Sequence, residues 1–215
     1  MKVKEIFYSL QGEGRFTGTA AVFLRLSGCN LKCPFCDTDH FDGTFMSHED
    51  IMDELVKYPS RHLVITGGEP SLQLEPGFID MLHEYGYFVQ VETNGTHPLP
   101  QNVDWITCSP KSKNIVYDRV NELKVVFGSD AVGGNSLLEH LSISVEAEEY
   151  YLQPCDTGDK AVNVEILGRC VEYIKDNPVW RLSLQTHKLI GYTLILLILE
   201  TGIDVTILIC FFIVS

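Results

Sequence analysis

Short apolar segments rich in β-branched residues alternate with helix-like segments along most of the 215-residue chain, and this alternation limits the folds it can adopt. The predicted strands are 21–26, 62–66, 87–92, 104–108, 122–127, 150–153 and 180–184. The predicted helices are 47–57, 77–85, 132–140 and 161–175, the last with an apolar stripe of Val164, Leu167, Val171 and Ile174. Strands that alternate with helices indicate a parallel sheet covered by helices. Because crossover connections are right-handed, we predict an open, partial (β/α) barrel with a mainly parallel sheet.

Three segments rich in glycine, polar and charged residues follow predicted strands, at 67–70, 92–95 and 109–111. In parallel α/β folds, ligands bind beyond the carboxyl ends of the strands. We therefore expect a functional site at this edge of the sheet.

The charge balance and the amino terminus limit the class of protein. The chain has 29 acidic side chains against 16 Lys and Arg, a formal net charge of −13, so general attraction to nucleic-acid phosphates is not expected. The first nine residues lack the apolar segment of a secretory signal, which predicts a cytoplasmic protein.

The carboxyl-terminal segment has an unusual composition. From Leu189 to Val214 it is mostly Leu, Ile, Val and Phe, interrupted by Glu200 and Asp204. The segment is long enough to span a bilayer, but each acidic residue near its middle would cost about 3 kcal/mol there. We therefore expect no membrane span, and we divide the chain into a core domain, 1–191, and an atypical hydrophobic extension, 192–215. A hairpin of strands, contact with another chain and a non-native end also fit this extension.

Three of the seven cysteines form a CxxxCxxC pattern: Cys29, Cys33 and Cys36. In the cytosol a tight cysteine cluster indicates metal binding or redox chemistry. Three thiolates on an eight-residue loop can converge on an iron–sulfur cube and leave one iron open to a small molecule. The alternative is a non-catalytic zinc module in which His40 completes the site, although structural zinc usually takes four ligands in two pairs and no second pair follows.

Seven short motifs occur in order along the chain: SLQGEG at 9–14, FLRLSGCN at 23–30, CDT at 36–38, ITGGEP at 65–70, SPK at 109–111, QP at 153–154 and LQTHK at 184–188. CxxxCxxC followed by GGEP resembles the radical S-adenosylmethionine superfamily. The whole set, from about residue 5 to residue 191, is similar to the 7-carboxy-7-deazaguanine synthase family. Another radical enzyme, such as a glycyl-radical activase, shares the cysteine spacing but would need neither LQGE nor CDT.

The resemblance implies a barrel of the radical S-adenosylmethionine type and a set of bound groups. The three cysteines would hold a [4Fe–4S] cluster. The open iron of that cluster would bind S-adenosylmethionine, and Thr38 would bind Mg²⁺. Contacts with S-adenosylmethionine are implied for Phe35, Cys36, Asp37, Gly68, Ser109, Pro110, Lys111, Gln153, Pro154, Cys155 and Asp156. Contacts with the substrate, 6-carboxy-5,6,7,8-tetrahydropterin, are implied for Leu10, Gln11, Gly12, Glu13, Arg25, Thr66 and His187.

Arg25 also stands out in the sequence because it interrupts the apolar strand 21–26. Alternate strand residues face opposite sides, so this side chain could face either solvent or a ligand. The resemblance implies that Arg25 grips the substrate carboxylate in a bidentate fork and that Glu13 accepts hydrogen bonds from the amino side of the pterin.

The implied reaction is a radical ring contraction. A 5′-deoxyadenosyl radical would remove hydrogen from the pterin carbon that bears the carboxylate, and the ring would rearrange with loss of ammonia to 7-carboxy-7-deazaguanine, which feeds queuosine and other 7-deazapurines. The resemblance further implies a carbon–nitrogen lyase, a homodimer and an electron donor such as flavodoxin or ferredoxin.

Overall fold

The computed structural model describes residues 1–34, 36, 42–128 and 134–189. Its strands are β1 (Lys2–Leu10), β2 (Ala20–Leu26), β3 (Thr44–Phe45), β4 (His62–Gly67), β5 (Phe88–Thr93), β6 (Trp105–Cys108), β7 (Arg119–Phe127), β8 (Glu146–Pro154) and β9 (Trp180–Leu182). Its helices are α1 (His48–Leu55), α2 (Pro76–Glu84), α3 (Gly134–Ser144), α4 (Lys160–Asp176) and α5 (Thr186–Leu189).

The described strands form one sheet in the order β3-β1-β2-β4-β5-β6-β7-β8-β9. From β2 to β9 all neighbouring strands are parallel, whereas β1 runs antiparallel to both β2 and β3. Within the described residues β3 and β9 are the two edges, so the sheet stays open. The predicted open, mainly parallel α/β barrel is confirmed.

The sheet has an apolar outer face that packs against the helices. On the strands β2, β4 and β5, the fully buried side chains Leu24, Ile65 and Val91 belong to one core with Phe78 of α2 and Leu55 of α1. Because side chains alternate along a strand, the residues between them face the inside of the curved sheet. Many of those inner residues are polar, so the inside of the barrel can bind a polar ligand.

Helix α4 presents a different face to the sheet from the one predicted. Ile166 and Cys170 are buried against β7–β9, with Tyr173 beside Phe127. Val164 is 70% exposed and Val171 is also exposed, so the predicted stripe of Val164, Leu167, Val171 and Ile174 is wrong at these two positions, whereas Ile174 packs against the core. Ile166 and Cys170 are four residues apart on one side of the helix, and a cysteine packs as a small apolar side chain that hydrophobicity patterns undervalue.

The ends of α1 and α2 follow the local sequence signals. The Ser47 hydroxyl accepts a hydrogen bond from Asp50 N at 3.0 Å, and the Asp50 carboxylate accepts one from Ser47 N at 3.1 Å, which forms a capping box before α1. Gly86, with φ of +78°, follows the end of α2. These two predicted helices therefore begin and end within two residues of the expected positions.

The loop between β1 and β2 crosses the interior of the barrel and joins its two sides. The Phe16 ring packs edge-on against His62 and Trp105, with centroids 4.7 and 5.0 Å apart. Gly14 N donates to Ser183 Oγ at 3.0 Å. A Cβ at Gly14, where φ is +63°, would lie 2.0 Å from Glu122 Oε1, so only glycine lets the loop pass this close to β7.

No helix in the described ranges is both long enough and apolar enough to cross a bilayer. The predicted extension, 192–215, lies outside the described residues, so the domain boundary and the absence of a membrane span stay predictions. The predicted helix 132–140 corresponds to α3, although its first two residues also lie outside the described ranges.

Candidate active site

A cavity of about 1150 Å³ lies at the carboxyl ends of the parallel strands, where the sequence predicts the site. It is lined by all seven residues predicted for the substrate: Leu10, Gln11, Gly12, Glu13, Arg25, Thr66 and His187. It is also lined by Cys29, Cys33, Cys36, Gly68, Ser109, Lys111, Gln153, Pro154, Cys155 and Asp156. Pro110 is buried and is not among the lining residues, and Phe35, Asp37 and Thr38 lie outside the described residues. Their individual roles stay predictions.

The three thiols of the CxxxCxxC loop are free of disulfide bonds, and all three line the cavity. Burial raises the pKa of Cys33; the nearby Lys111 charge opposes this, and Cys36 and Cys29 add to it. The three sulfurs are thus close enough for their charges to interact.

Within the described ranges, no group of three His, Cys, Asp or Glu side chains is arranged around a single metal ion. A cubic cluster binds each thiolate to a different iron and therefore needs sulfurs that are spread more widely than the ligands of one ion. The three thiols are free and line one large cavity, and thiolates are the ligands that such a cluster binds.

A chain of hydrogen bonds ties the cysteine loop to the ends of β4 and β5. The buried Glu69 carboxylate accepts hydrogen bonds from Thr93 Oγ1 at 2.6 Å and from Asn94 N at 2.7 Å. The Asn94 side chain donates to Asn30 Oδ1 at 3.0 Å, and Asn30 Nδ2 donates to Thr96 Oγ1 at 2.8 Å. Asn30 adjoins Cys29, so the GGEP segment and the turn after β5 fix the start of the loop.

Gly68 lies directly against the start of the cysteine loop. Its N–H donates to Leu26 O at 2.9 Å, and the next residue, Glu69, donates from its own N–H to Gly28 O at 2.8 Å. A Cβ at Gly68 would lie 1.8 Å from Gly28 O, and backbone at that distance must move.

We expect Gly68→Ala to lose most of the bound iron after anaerobic reconstitution, because the added methyl displaces Gly28 and the adjoining Cys29. The measurement is iron and sulfide per chain, with circular dichroism to establish that the fold persists. Gly77→Ala is the matched control, since a Cβ there has no atom within 4 Å. Full cluster content in folded Gly68→Ala would contradict this account of the close approach.

Arg25 faces the cavity, and its contact with a ligand stays a prediction. The strand register pairs Arg25 directly with Thr66 of β4. Its Nε donates to Glu5 Oε1 at 2.6 Å, and its guanidinium lies over the Phe7 ring, 5.6 Å from the centroid. A cation is therefore held at the wall of the cavity by an aromatic face and a half-exposed carboxylate.

The LQTHK segment closes another wall of the cavity. Gly12 O accepts hydrogen bonds from Thr186 N and Thr186 Oγ1, both at 3.0 Å. Lys188 Nζ donates to Asp156 Oδ2 at 2.8 Å, and hydrogen bonds from Lys188, Gly158 N and Asn163 lower the pKa of Asp156 to about 2. These contacts hold the segment against both the β1–β2 loop and the end of β8.

A buried ion cluster lies among the predicted substrate residues. The Lys124 ammonium on β7 donates to Glu13 Oε2 at 2.5 Å and to Glu92 Oε2 at 3.1 Å. The Lys124 side chain is 4% exposed, and those of Glu13 and Glu92 are 15% and 20% exposed. All three side chains line the cavity.

The ion cluster governs the charges inside the cavity. Burial alone would raise the pKa of Glu13, but the charge and hydrogen bond of Lys124, with help from Gln185 and His187, lower it to about 2. Burial alone would lower the pKa of Lys124, but Glu13, Glu92 and Glu122 raise it above its usual range. Burial raises the pKa of Glu122 to about 7, against the opposing charge of Lys124.

Glu92, Lys124 and Gln185 were not among the predicted site residues. The sequence did carry a signal for two of them: Lys124 lies between the apolar Leu123 and Val125 of β7, and Glu92 directly follows Val91 of β5. A charged residue at an inward position of a buried strand needs a partner. Applied to every strand, the criterion that selects Arg25 selects these two as well.

Comparison with known proteins first defines the class of protein. Residues 24–113 match the model of the radical SAM superfamily, a segment that includes the cysteine loop, GGEP and SPK.

The relatives define the family within that class. The chain is 50% identical to the 7-carboxy-7-deazaguanine synthase of Bacteroides thetaiotaomicron, over 88% of this chain and 97% of that protein. It is 41% identical to that of Bordetella pertussis with the same coverage. The crystal structure of QueE from Escherichia coli superposes with a TM-score of 0.68 at 30% identity, covering 85% of this chain and 92% of that one. The chain therefore belongs to the 7-carboxy-7-deazaguanine synthase family, and the resemblance drawn from its motifs is confirmed.

Proposed function

We propose that this protein is a 7-carboxy-7-deazaguanine synthase. It converts 6-carboxy-5,6,7,8-tetrahydropterin to 7-carboxy-7-deazaguanine with loss of ammonia, and is thus a carbon–nitrogen lyase that supplies queuosine and other 7-deazapurines. The observation that carries the proposal is one cavity lined by the three cysteines of the loop and by all seven residues predicted for the substrate. Relatives that bear this name, aligned over nearly their whole length, support it.

The cysteine loop would hold the cofactor. Cys29, Cys33 and Cys36 would each bind one iron of a [4Fe–4S] cluster, and the fourth iron would be left for S-adenosylmethionine. When bound, this pair supplies the one-electron chemistry that removes a hydrogen atom from the substrate. Gly68, Ser109, Lys111 and 153–156 line the same cavity and would contact S-adenosylmethionine.

The protein's own contribution is orientation of the substrate. Arg25 would bind the substrate carboxylate at one wall of the cavity, and Glu13 would accept hydrogen bonds from the amino side of the pterin at another. Because Arg25 would bind one end of the flat pterin and Glu13 the other, the substrate would have one favourable orientation in the cavity. Fixing that orientation would place the reacting carbon where the bound cofactor acts, and positioning of this kind can supply several kcal/mol of catalysis.

Further features of the family complete the proposal. Thr38 would bind Mg²⁺ through its hydroxyl, and Phe35 and Asp37 would lie beside S-adenosylmethionine. The enzyme would act as a cytoplasmic homodimer that receives electrons from a flavodoxin or ferredoxin. Residues 1–191 would form the catalytic domain.

The experiment is turnover by anaerobically purified, reconstituted protein given carboxytetrahydropterin, S-adenosylmethionine and dithionite, with the products identified by mass spectrometry. We expect 7-carboxy-7-deazaguanine only when all three are present. A parallel reaction with a chain that ends at Gly191 tests whether the extension influences turnover. A cluster-loaded protein that cleaves S-adenosylmethionine but gives no deazaguanine would point to another radical enzyme. Zinc in place of iron and sulfide would point to a binding module.

A further inference from the structure

The ion cluster of Glu13, Glu92 and Lys124 is an expensive arrangement if stability were its only purpose. Burying three charges costs several kcal/mol for each ion, and replacing such groups with apolar residues is often neutral or stabilising. The cluster also lies on the wall of the cavity rather than in either apolar core. Charged groups retained at such a place are candidates for work on a ligand.

Hydrogen bonds fix both oxygens of each carboxylate. Glu13 Oε2 accepts from Lys124, while Glu13 Oε1 accepts from Gln185 at 2.9 Å and from Gln153 at 3.2 Å. Glu92 Oε2 also accepts from Lys124, and Glu92 Oε1 accepts from Gln11 Nε2 at 2.9 Å. Every one of these partners is a donor, and this environment lowers the pKa of Glu13 and keeps it ionised.

Lys124 contacts both acids, and among the described residues it is the group that joins them. Its strand, β7, lies between β6 and β8, whereas Glu13 belongs to the β1–β2 loop and Glu92 to β5. A buried ammonium between two carboxylates fixes how far apart they lie and which way they point. It also leaves the group of three with a net negative charge, which suits the donor-rich edge of a heterocycle.

We propose that Lys124 is a positioning residue for substrate recognition, holding Glu13 and Glu92 as a pair of ionised acceptors for the N–H groups of the heterocycle. This inference rests on the proposed function and adds a second acid, Glu92, to the recognition of the substrate. Lys124 itself acts only through the two carboxylates.

Loss of the Lys124 ammonium should weaken substrate binding, and it should do so most at low pH. Without Lys124, burial would no longer be offset by the ammonium charge and hydrogen bond, so the pKa of Glu13 would rise and its protonated form would be favoured. A protonated acid presents a donor to the donors of the substrate, so binding weakens. The ionised pair returns as the pH rises, and so does substrate affinity.

Other titratable groups face this cluster and must be separated from its effect. They are Glu122 on β7, Lys111 after β6 and His187 on α5. Because they are present in both wild type and variant, the informative quantity is the ratio of the two dissociation constants at each pH.

The test is substrate binding to Lys124→Gln by calorimetry, with the cluster loaded, S-adenosylmethionine present and no reductant, so that no turnover occurs. We expect the dissociation constant to rise at least about tenfold near neutral pH, as for a lost charge-assisted hydrogen bond. The ratio of variant to wild type should fall as the pH is raised from about 6 to about 9. S-Adenosylmethionine affinity and iron content should stay at wild-type values.

Lys57→Gln is the matched control, because it removes an exposed lysine whose partner is Glu54 on the surface. Wild-type substrate affinity in Lys124→Gln, or a parallel loss of iron, S-adenosylmethionine and substrate, would overturn the inference. If Lys124→Gln does not fold, Lys124→Arg provides the test. Because arginine keeps the positive charge, the ratio of the variant to the wild-type dissociation constant should not vary with pH. A ratio that falls as the pH rises would overturn the inference. Turnover by the wild-type enzyme tests the proposed function separately.

Discussion

Replacing Cys33 with alanine is expected to abolish cluster binding and turnover together. The remaining thiols, Cys29 and Cys36, would bind two irons of a cube and leave two without protein ligands, and so many open positions favour loss of the cluster. Iron and sulfide per chain and the visible absorption of the reconstituted protein measure the first effect. Product formation measures the second.

The control for this variant is Cys170→Ala. It removes a thiol that is buried in the apolar core beside Ile166, away from the cavity residues. We expect a modest loss of stability there, with iron content unchanged. An active, cluster-loaded Cys33→Ala variant would contradict the assignment of the three thiols.

Replacing Arg25 with alanine is expected to weaken substrate binding while the affinity for S-adenosylmethionine survives. A charge-assisted hydrogen bond to a carboxylate is worth about 2 kcal/mol, which corresponds to about a 30-fold rise in the dissociation constant. The partner left behind, Glu5, is half exposed and stays solvated, so the variant should fold. Equilibrium binding of each ligand to the unreduced, cluster-loaded protein measures both effects.

Arg119→Ala serves as the control, since Arg119 is exposed and its partner Glu146 is exposed as well. Surface ion pairs of this kind contribute little, so neither ligand should respond. Equal losses of substrate and S-adenosylmethionine affinity in Arg25→Ala would assign Arg25 to the fold of β2 rather than to the substrate.

The alternation of strands and helices predicted the parallel part of the sheet because most of these strands contain a short apolar run. The polar beginnings of β7 and β8 lay outside the predicted ranges. Strand β1 escaped prediction because its alternation of charged and apolar residues is broken at Lys4 and Glu5, where the pairing with β2 shifts register. The short β3 has too few residues for a pattern, since it spans Thr44 and Phe45 only. The buried face of α4 was misjudged because Cys170 carries part of the packing.

The site was predicted where motifs are contiguous, as in the cysteine loop and GGEP. It was missed where residues distant in sequence meet through the fold. Glu13 and Lys124 are 111 residues apart, and Gln185 reaches Glu13 across 172 residues, so no local pattern could pair them. The role of Glu69 as the anchor of the turn after β5 likewise depends on the β4–β5 register.

The most direct test of the account is electron paramagnetic resonance of the reduced, reconstituted protein before and after addition of S-adenosylmethionine. Three thiolate ligands and one open iron predict a [4Fe–4S] signal that changes when S-adenosylmethionine binds that iron. The same change should appear in Arg25→Ala and be absent from Cys33→Ala together with the cluster itself. A cluster signal that ignores S-adenosylmethionine, or a protein that takes up zinc and no cluster, would contradict the central claim.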